Sequence, residues 1–139
     1  MRIESDFLGS VTLPDDCLYG INTARAVSNF DISGKAIHKE LIYELIMLKR
    51  SAAVANRDAG LLDGDIAQYI VSACDKLSAG IDMSLFPTDA LQGGAGTSIN
   101  MNVNEVVCNT ALLIAGRKCG DYGYIDPLDH VNLSQSTND

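Results

Sequence analysis

A chain of 139 residues, 47% of them apolar and 20% charged, is long enough for one domain with its own core and too apolar for a disordered segment. Eighteen acidic against ten basic side chains leave a formal charge of -8, a field that repels phosphate backbones and anionic lipid and so excludes nucleic acid as an expected partner. The opening residues, Met1-Arg2-Ile3-Glu4-Ser5-Asp6, lack the apolar stretch of a signal peptide, and no later run reaches the ~18 apolar residues of a membrane span, which predicts a cytoplasmic protein without membrane contact.

Residues 1–19 mix short apolar pieces (Ile3, Phe7-Leu8, Val11, Leu13) with the turn formers Gly9 and Pro14-Asp15-Asp16, a pattern for a small hairpin or extended arm. Residues 20–37 carry Gly20, Asn22, Ser28-Asn29, Ser33 and Gly34 and read as a connecting loop with at most a turn of helix. From His38 to about Ala59, Leu41, Leu45, Leu48, Ala52 and Ala55 recur at three- and four-residue steps, while Ile42, Ile46, Ala53 and Val54 widen the stripe. That predicts a helix packed on more than one side, with Lys39, Glu40, Lys49, Arg50 and Arg57 on its wetter edge and Gly60 as its stop. Asp63 or Asp65 caps a second helix whose buried face is Ile66, Tyr69, Ile70, Ala73 and Leu77, and Gly80 ends it. After a loop through Pro87 and a glycine cluster, Val103, Val106, Val107, Thr110, Leu113 and Ile114 define a third helix from about Met101 to Ala115, stopped by Gly116. Residues 117–139 are polar and rich in turn formers. With no solenoid-length repeat and no alternation of strand and helix, the expected fold is small and mainly α, with a short N-terminal hairpin or extended arm.

The four cysteines, Cys17, Cys74, Cys108 and Cys119, form no CxxC, and His38 and His130 do not sit at ligand spacing, so no metal is expected. The thiols read as small buried or half-buried groups in a reducing compartment. Neither histidine lies in a nucleophile motif. The carboxylates, Glu105, Asp126 and Asp129 among them, show no acid/base pairing along the sequence. His130, in Leu128-Asp129-His130-Val131-Asn132, reads as a structural or loop histidine.

Two segments have the composition for ligand chemistry. In Gln92-Gly93-Gly94-Ala95-Gly96-Thr97-Ser98-Ile99-Asn100, glycines free the backbone to turn its amides inward, and the helix that follows offers unpaired N–H groups carrying partial positive charge. No Gly-Lys-Ser/Thr follows and Ile99 stands where a third fingerprint glycine would be, so it is neither a P-loop nor a dinucleotide fingerprint. By spacing alone, an ordinary flexible loop in which Thr97, Ser98 or Asn100 caps the helix is the default reading. In Ser134-Gln135-Ser136-Thr137-Asn138-Asp139, hydroxyls and amides crowd together; such neutral donors can grip a carboxylate whose charge grows during a reaction, though a polar capping loop has the same composition.

Taken together, the segments resemble the aspartase/fumarase superfamily. Residues 94–106, Gly-Ala-Gly-Thr-Ser-Ile-Asn-Met-Asn-Val-Asn-Glu-Val, are similar to its first substrate motif, and residues 129–139, Asp-His-Val-Asn-Leu-Ser-Gln-Ser-Thr-Asn-Asp, to its second. Tyr19-Gly20-Ile21-Asn22-Thr23-Ala24-Arg25-Ala26 with Asn29-Phe30 resembles its amino-terminal segment, so the likeness covers essentially the whole chain. Gly-Ala-Gly-Thr-Ser and Ser-Thr-Asn-Asp resemble the ammonia-lyase branch acting on aspartate more than the class II fumarases, which usually read Gly-Ser-Gly-Thr-Gln-Ser and Ser-Ser-Asn-Asp. The resemblance implies that residues 1–139 form the small helical N-terminal domain of that fold, and that the substrate is a small dicarboxylate, L-aspartate or fumarate. It implies that Thr97, Ser136 and Thr137 hydrogen-bond a substrate carboxylate, that Asn138 lies near the amino group or second carboxylate, and that Ser98 and Asn100 shape the loop and cap the helix. No cofactor is implied, and the full-length family members are homotetramers. Where the family commonly has His-Pro-Asn-Asp, this chain has Asp126-Pro127-Leu128-Asp129, which puts a secondary anion site there in doubt. The family's Thr-His segment, central bundle helices and mobile serine loop with the base and a Lys/Asn carboxylate clamp would all follow Asp139, so no catalytic residue is expected in this chain and it is expected to be inactive alone. A class II fumarase domain, or a stand-alone ligand-binding or assembly module, is the alternative.

Overall fold

The computed structural model describes residues 1–29, 38–87 and 97–136. The chain starts with the expected hairpin: β1 (Arg2–Asp6) and β2 (Gly9–Leu13) pair antiparallel, with Asp6 opposite Gly9 and Arg2 opposite Leu13. The turn needs Gly9, whose φ of 132° is closed to most side chains. Asp6 accepts from Leu8 N at 2.9 Å inside the turn.

A helix, α1 (Ile21–Asn29), occupies much of the region expected to be loop. Its residues are indifferent helix formers, and what holds it is long-range capping of its orphan N–H groups. Ile21 N donates to Glu4 Oε1 at 3.0 Å, Asn22 N to Glu105 Oε2 at 2.9 Å and Thr23 N to Glu105 Oε1 at 2.9 Å. The two carboxylates come from strand β1 and from 83 residues downstream, beyond any local sequence signal.

The next helix, α2 (Lys39–Asp58), matches its expected bounds and ends in a Schellman arrangement: Gly60 at φ 75°, Gly60 N on Arg57 O at 3.0 Å and Leu61 N on Asn56 O at 2.9 Å. Its buried stripe differs from the expected one. Ile42, Ile46, Lys49, Ala53 and Asn56 are buried, whereas Leu41 and Leu48 are 44% and 42% exposed. Ile42, Ile46 and Ala53, expected to widen the stripe, are its buried centre, and Leu41 and Leu48 lie at its exposed margin. Lys49, expected at the wet edge, is fully buried.

Helix α3 (Gly64–Ala79) is capped by Asp63 rather than Asp65: its carboxylate accepts from Asp65 N at 3.0 Å and Ile66 N at 3.1 Å. Ile70, Ala73 and Leu77 face the core as expected. A short 3₁₀ turn (Met83–Leu85) leads to buried Phe86.

Helix α4 (Thr97–Ile114) begins four residues before the expected Met101. Every residue from Asn102 to Leu112 is buried, so α4 is enclosed by α1, α2, α3 and the carboxy-terminal turns rather than presenting a single stripe. Gly116 at φ 78° closes it, with Arg117 N on Leu112 O at 2.8 Å. One core unites Ile42 and Ile46 of α2, Ile70 and Cys74 of α3, Val103 and Val107 of α4, and Ile125 and Val131 beyond. The mainly α fold with an N-terminal hairpin is as expected, and no described helix is long and apolar enough to cross a membrane.

Candidate functional site

Asparagine is a poor helix former because its side chain competes for backbone hydrogen bonds. Yet α4 holds Asn100, Asn102, Asn104 and Asn109, and each amide is committed to a group outside the helix. Asn102 Nδ2 donates to Leu85 O at 3.0 Å and Asn109 Nδ2 to Leu18 O at 2.8 Å. Asn100 Nδ2 and Asn104 Nδ2 both donate to Asn132 Oδ1, at 3.0 and 3.1 Å. Asn100 was expected as a helix cap; with α4 starting at Thr97, it lies inside the first turn, 1% exposed.

Asn132 Oδ1 takes a third donor, Lys49 Nζ at 3.1 Å, which also reaches Asn100 Oδ1 at 2.7 Å and Gln135 Oε1 at 2.8 Å. Three acceptors around one nitrogen use the three hydrogens of an ammonium. Gln135 turns its Nε2 back onto Val131 O at 3.0 Å and Leu133 O at 3.1 Å, and Asn132 Nδ2 donates to Gln135 O at 3.1 Å. These bonds close a tight loop in which Ser134 takes a left-handed φ of 64°, a conformation non-glycine residues adopt only when neighbours enforce it. Asn56 Nδ2, on Leu133 O at 3.0 Å, ties the same loop to the far end of α2.

The two segments singled out from sequence are thus joined through buried amides. Thr97 is the first residue of α4, half-buried, three positions before Asn100; Ser136 is exposed and directly follows Gln135. Ser98 is half-buried in the same first turn as Thr97. Thr137 and Asn138, like the glycine cluster of Gly93, Gly94 and Gly96, lie outside the described residues. The sequence reading missed Lys49, Asn132 and Gln135. The signal for them was the run of asparagines in α4, too many for a helix without tertiary partners.

Glu105 forms a second buried polar cluster. Besides the backbone N–H groups of Asn22 and Thr23 it accepts the Thr23 hydroxyl at 2.6 Å. Burial raises its pKa, while the Thr23 hydroxyl and backbone donors pull the other way. Glu4 stands nearby, accepting from Arg2 Nε at 2.8 Å and from the Tyr122 hydroxyl at 3.0 Å, and burial together with Glu4 pushes the Tyr122 phenol up. A cleft of about 770 Å³ lies between this cluster, Thr97 and the Asp126–Asp129 turn. Its walls carry Glu4, Asp6, Glu105, Asp126 and Asp129, which repel a dicarboxylate.

Residues Pro127–Val131 form a π-type turn whose free N–H groups are filled from within: Asp126 accepts from Leu128 N at 2.8 Å and Asp129 N at 2.9 Å. The donors that would otherwise face an anion are occupied by the chain's own carboxylate. His130 Nδ1 accepts from Asp126 N at 2.8 Å, the structural role expected of it. Cys74, Cys108 and Cys119 are buried and Cys17 half-buried, all as free thiols. Cys108 donates to Ile125 O at 3.0 Å.

A family described as lyase matches residues 9–139. An aspartate ammonia-lyase of Bacillus sp is 53% identical over 139 residues, 100% of this chain and 30% of that protein. A class II fumarate hydratase of Wigglesworthia glossinidia brevipalpis is 46% identical over 138 residues, 99% of this chain and 30% of that protein. Among solved structures, the native form of fumarate lyase:delta crystallin from Brucella melitensis matches with a TM-score of 0.95 at 48% identity, covering 100% of this chain and 32% of that one. The chain therefore spans 30–32% of the length of these proteins, at their amino-terminal end.

Proposed function

The chain belongs to the lyase family over nearly its whole length, and from that premise we propose that it is the amino-terminal domain of an aspartate ammonia-lyase, which supplies carboxylate-binding loops and is inactive alone. The observation that carries the reading is the buried amide junction, in which Asn132 Oδ1 receives Asn100, Asn104 and Lys49 together. It registers the turn bearing Thr97 against the loop leading to Ser136, two segments otherwise far apart in sequence.

The reaction is the reversible anti elimination of ammonia from L-aspartate to fumarate. A base removes a proton from the carbon beside the β-carboxylate, whose oxygens then carry the charge of an aci-carboxylate. Thr97, Ser136 and Thr137 donate hydrogen bonds to those oxygens and Asn138 holds the amino group or the second carboxylate; donors that strengthen as charge develops lower the barrier rather than only tightening binding. Neutral hydroxyls set on a pre-formed junction need no rearrangement as the charge grows, and the N-terminal end of α4 adds partial positive charge. The base belongs to the part of the protein beyond Asp139, and the elimination as written uses no cofactor. The free cysteines suit a reducing cytoplasm. Exposed Leu41 and Leu48 on α2, with Leu113 and Ile114 on α4, suit burial in a homotetramer.

The test is fumarate absorbance with L-aspartate, comparing this chain with the same chain extended through its downstream sequence. Turnover is expected only in the extended protein, and Thr97→Ala or Ser136→Ala should reduce it by about 10²–10³, the effect of losing one donor to a developing oxyanion. The 46% identity to a class II fumarate hydratase favours the reversible hydration of fumarate to malate as the second reading. An extended protein that converts malate and leaves aspartate unchanged establishes that reading and refutes the first.

A further inference from the structure

We infer that Lys49 is a positioning residue for the carboxylate-binding segments, an inference that rests on the roles proposed above for Thr97 and Ser136. The inference begins from cost. Lys49 is fully buried on the same stripe of α2 as Ile42, Ile46 and Ala53, where an apolar side chain of similar length would avoid desolvating a charge. Packing alone does not explain an ammonium there.

Its partners do. The oxygens of Asn100, Asn132 and Gln135 at 2.7, 3.1 and 2.8 Å are neutral amide carbonyls, and each belongs to a segment that leads to a proposed substrate contact. Asn100 lies in the first turn of α4 with Thr97, and Gln135 precedes Ser136. Drawing three carbonyls toward one cation fixes the orientation of all three amides, leaving their N–H₂ groups to bind outward. Gln135 Nε2 thereby holds Val131 O and Leu133 O, the bonds that keep Ser134 left-handed at φ 64° and set the direction in which the chain runs on to Ser136. Asn100 Nδ2 is turned onto Asn132 Oδ1, which locks the start of α4 against that loop. The same ammonium adds positive charge near the helix end that carries the positive partial charge of the helix dipole. The contacts described for Lys49 are to these amides, and it acts through them.

The test compares wild-type full-length protein with Lys49→Met, which keeps the length and removes donors and charge. The readouts are KM and kcat for L-aspartate, calorimetric binding of succinate as an unreactive four-carbon dicarboxylate, circular dichroism and thermal midpoint. We expect folded K49M with KM for aspartate and Kd for succinate each raised at least about tenfold and kcat lowered by about 10²-fold, the scale of a slightly misplaced site. A lysine with only a structural role would lower the thermal midpoint and leave these constants, per folded protein, within about twofold of wild type; that result overturns the inference. If K49M does not fold, Gln135→Leu withdraws one acceptor at the half-buried rim and must raise KM and succinate Kd in the same direction, and a folded Q135L with unchanged constants overturns it equally. Wild-type protein that binds succinate but does not convert aspartate refutes the ammonia-lyase reading, while the succinate comparison still decides the role of Lys49.

Discussion

Replacing Thr23 by valine removes one hydroxyl from the buried start of α1 and changes little else. Thr23 is fully buried, and valine fills nearly the same volume, so no cavity opens. The lost hydroxyl donates to Glu105 Oε1 at 2.6 Å, while the backbone N–H groups of Asn22 and Thr23, each at 2.9 Å, remain. A hydrogen bond to a charged acceptor contributes about 1.5–3 kcal/mol, and with two backbone donors left in place the expected loss is about 2 kcal/mol. The sign of its pH dependence follows from Glu105. Burial raises the pKa of this carboxyl above its ordinary 4.5, so protonation favours the fold: that contribution is fully present below the unfolded value and is lost as pH rises through the folded one. The Thr23 hydroxyl favours the carboxylate form, so Thr23→Val raises the folded pKa further. Its cost is therefore largest at pH above both folded values and shrinks as pH falls through them. Urea denaturation of wild type and T23V, followed by circular dichroism across a pH series, measures both effects. A difference below about 0.5 kcal/mol at the high-pH plateau, or one that does not shrink anywhere as pH falls, refutes the reasoning.

Gly20→Ala places a Cβ 2.6 Å from Glu105 Oε2, 2.7 Å from the Tyr122 hydroxyl and 2.8 Å from Glu4 Oε1. Because those side chains are held by their own hydrogen bonds, a destabilisation of about 1–3 kcal/mol is expected in the same denaturation assay. In the native protein at about pH 8, iodoacetamide should label half-buried Cys17 first. Cys74, whose thiol burial pushes up to about 12, and Cys108, raised well above the ordinary range, should react only on unfolding, as peptide mass mapping over time would show.

What the sequence made legible was whatever rests on local chemistry. The hairpin is written in Gly9, α2 in its apolar periodicity and Gly60, α3 in Asp63 and its stripe. What it concealed depends on distant partners. Helix α1 lacks a convincing local start, because its caps, Glu4 and Glu105, arrive from elsewhere in the chain. On α2 the centre of the buried face was read at Leu41 and Leu48, which lie at its exposed margin, while Ile42 and Ile46, read as widening the stripe, form the centre together with a lysine the sequence placed at the wet edge. For the candidate site, the hydroxyl residues stand out by composition and resemblance. The residues that organise them do not: a lysine in a helix reads as solvated by type, and only its three amide partners, gathered from α4 and the carboxy-terminal loop, show otherwise.

The single carbonyl of Asn132 that serves Lys49, Asn100 and Asn104 has a consequence for anyone who would transplant this recognition surface. The two hydroxyl-bearing segments are the obvious parts to graft onto another scaffold. Copied alone they would carry a glutamine and two asparagines whose polar atoms have lost their counterparts, and the graft would rotate its amides toward water. The smallest portable unit is three stretches of backbone, the third being a middle turn of a helix whose contribution, the Lys49 side chain, shows nothing at the surface.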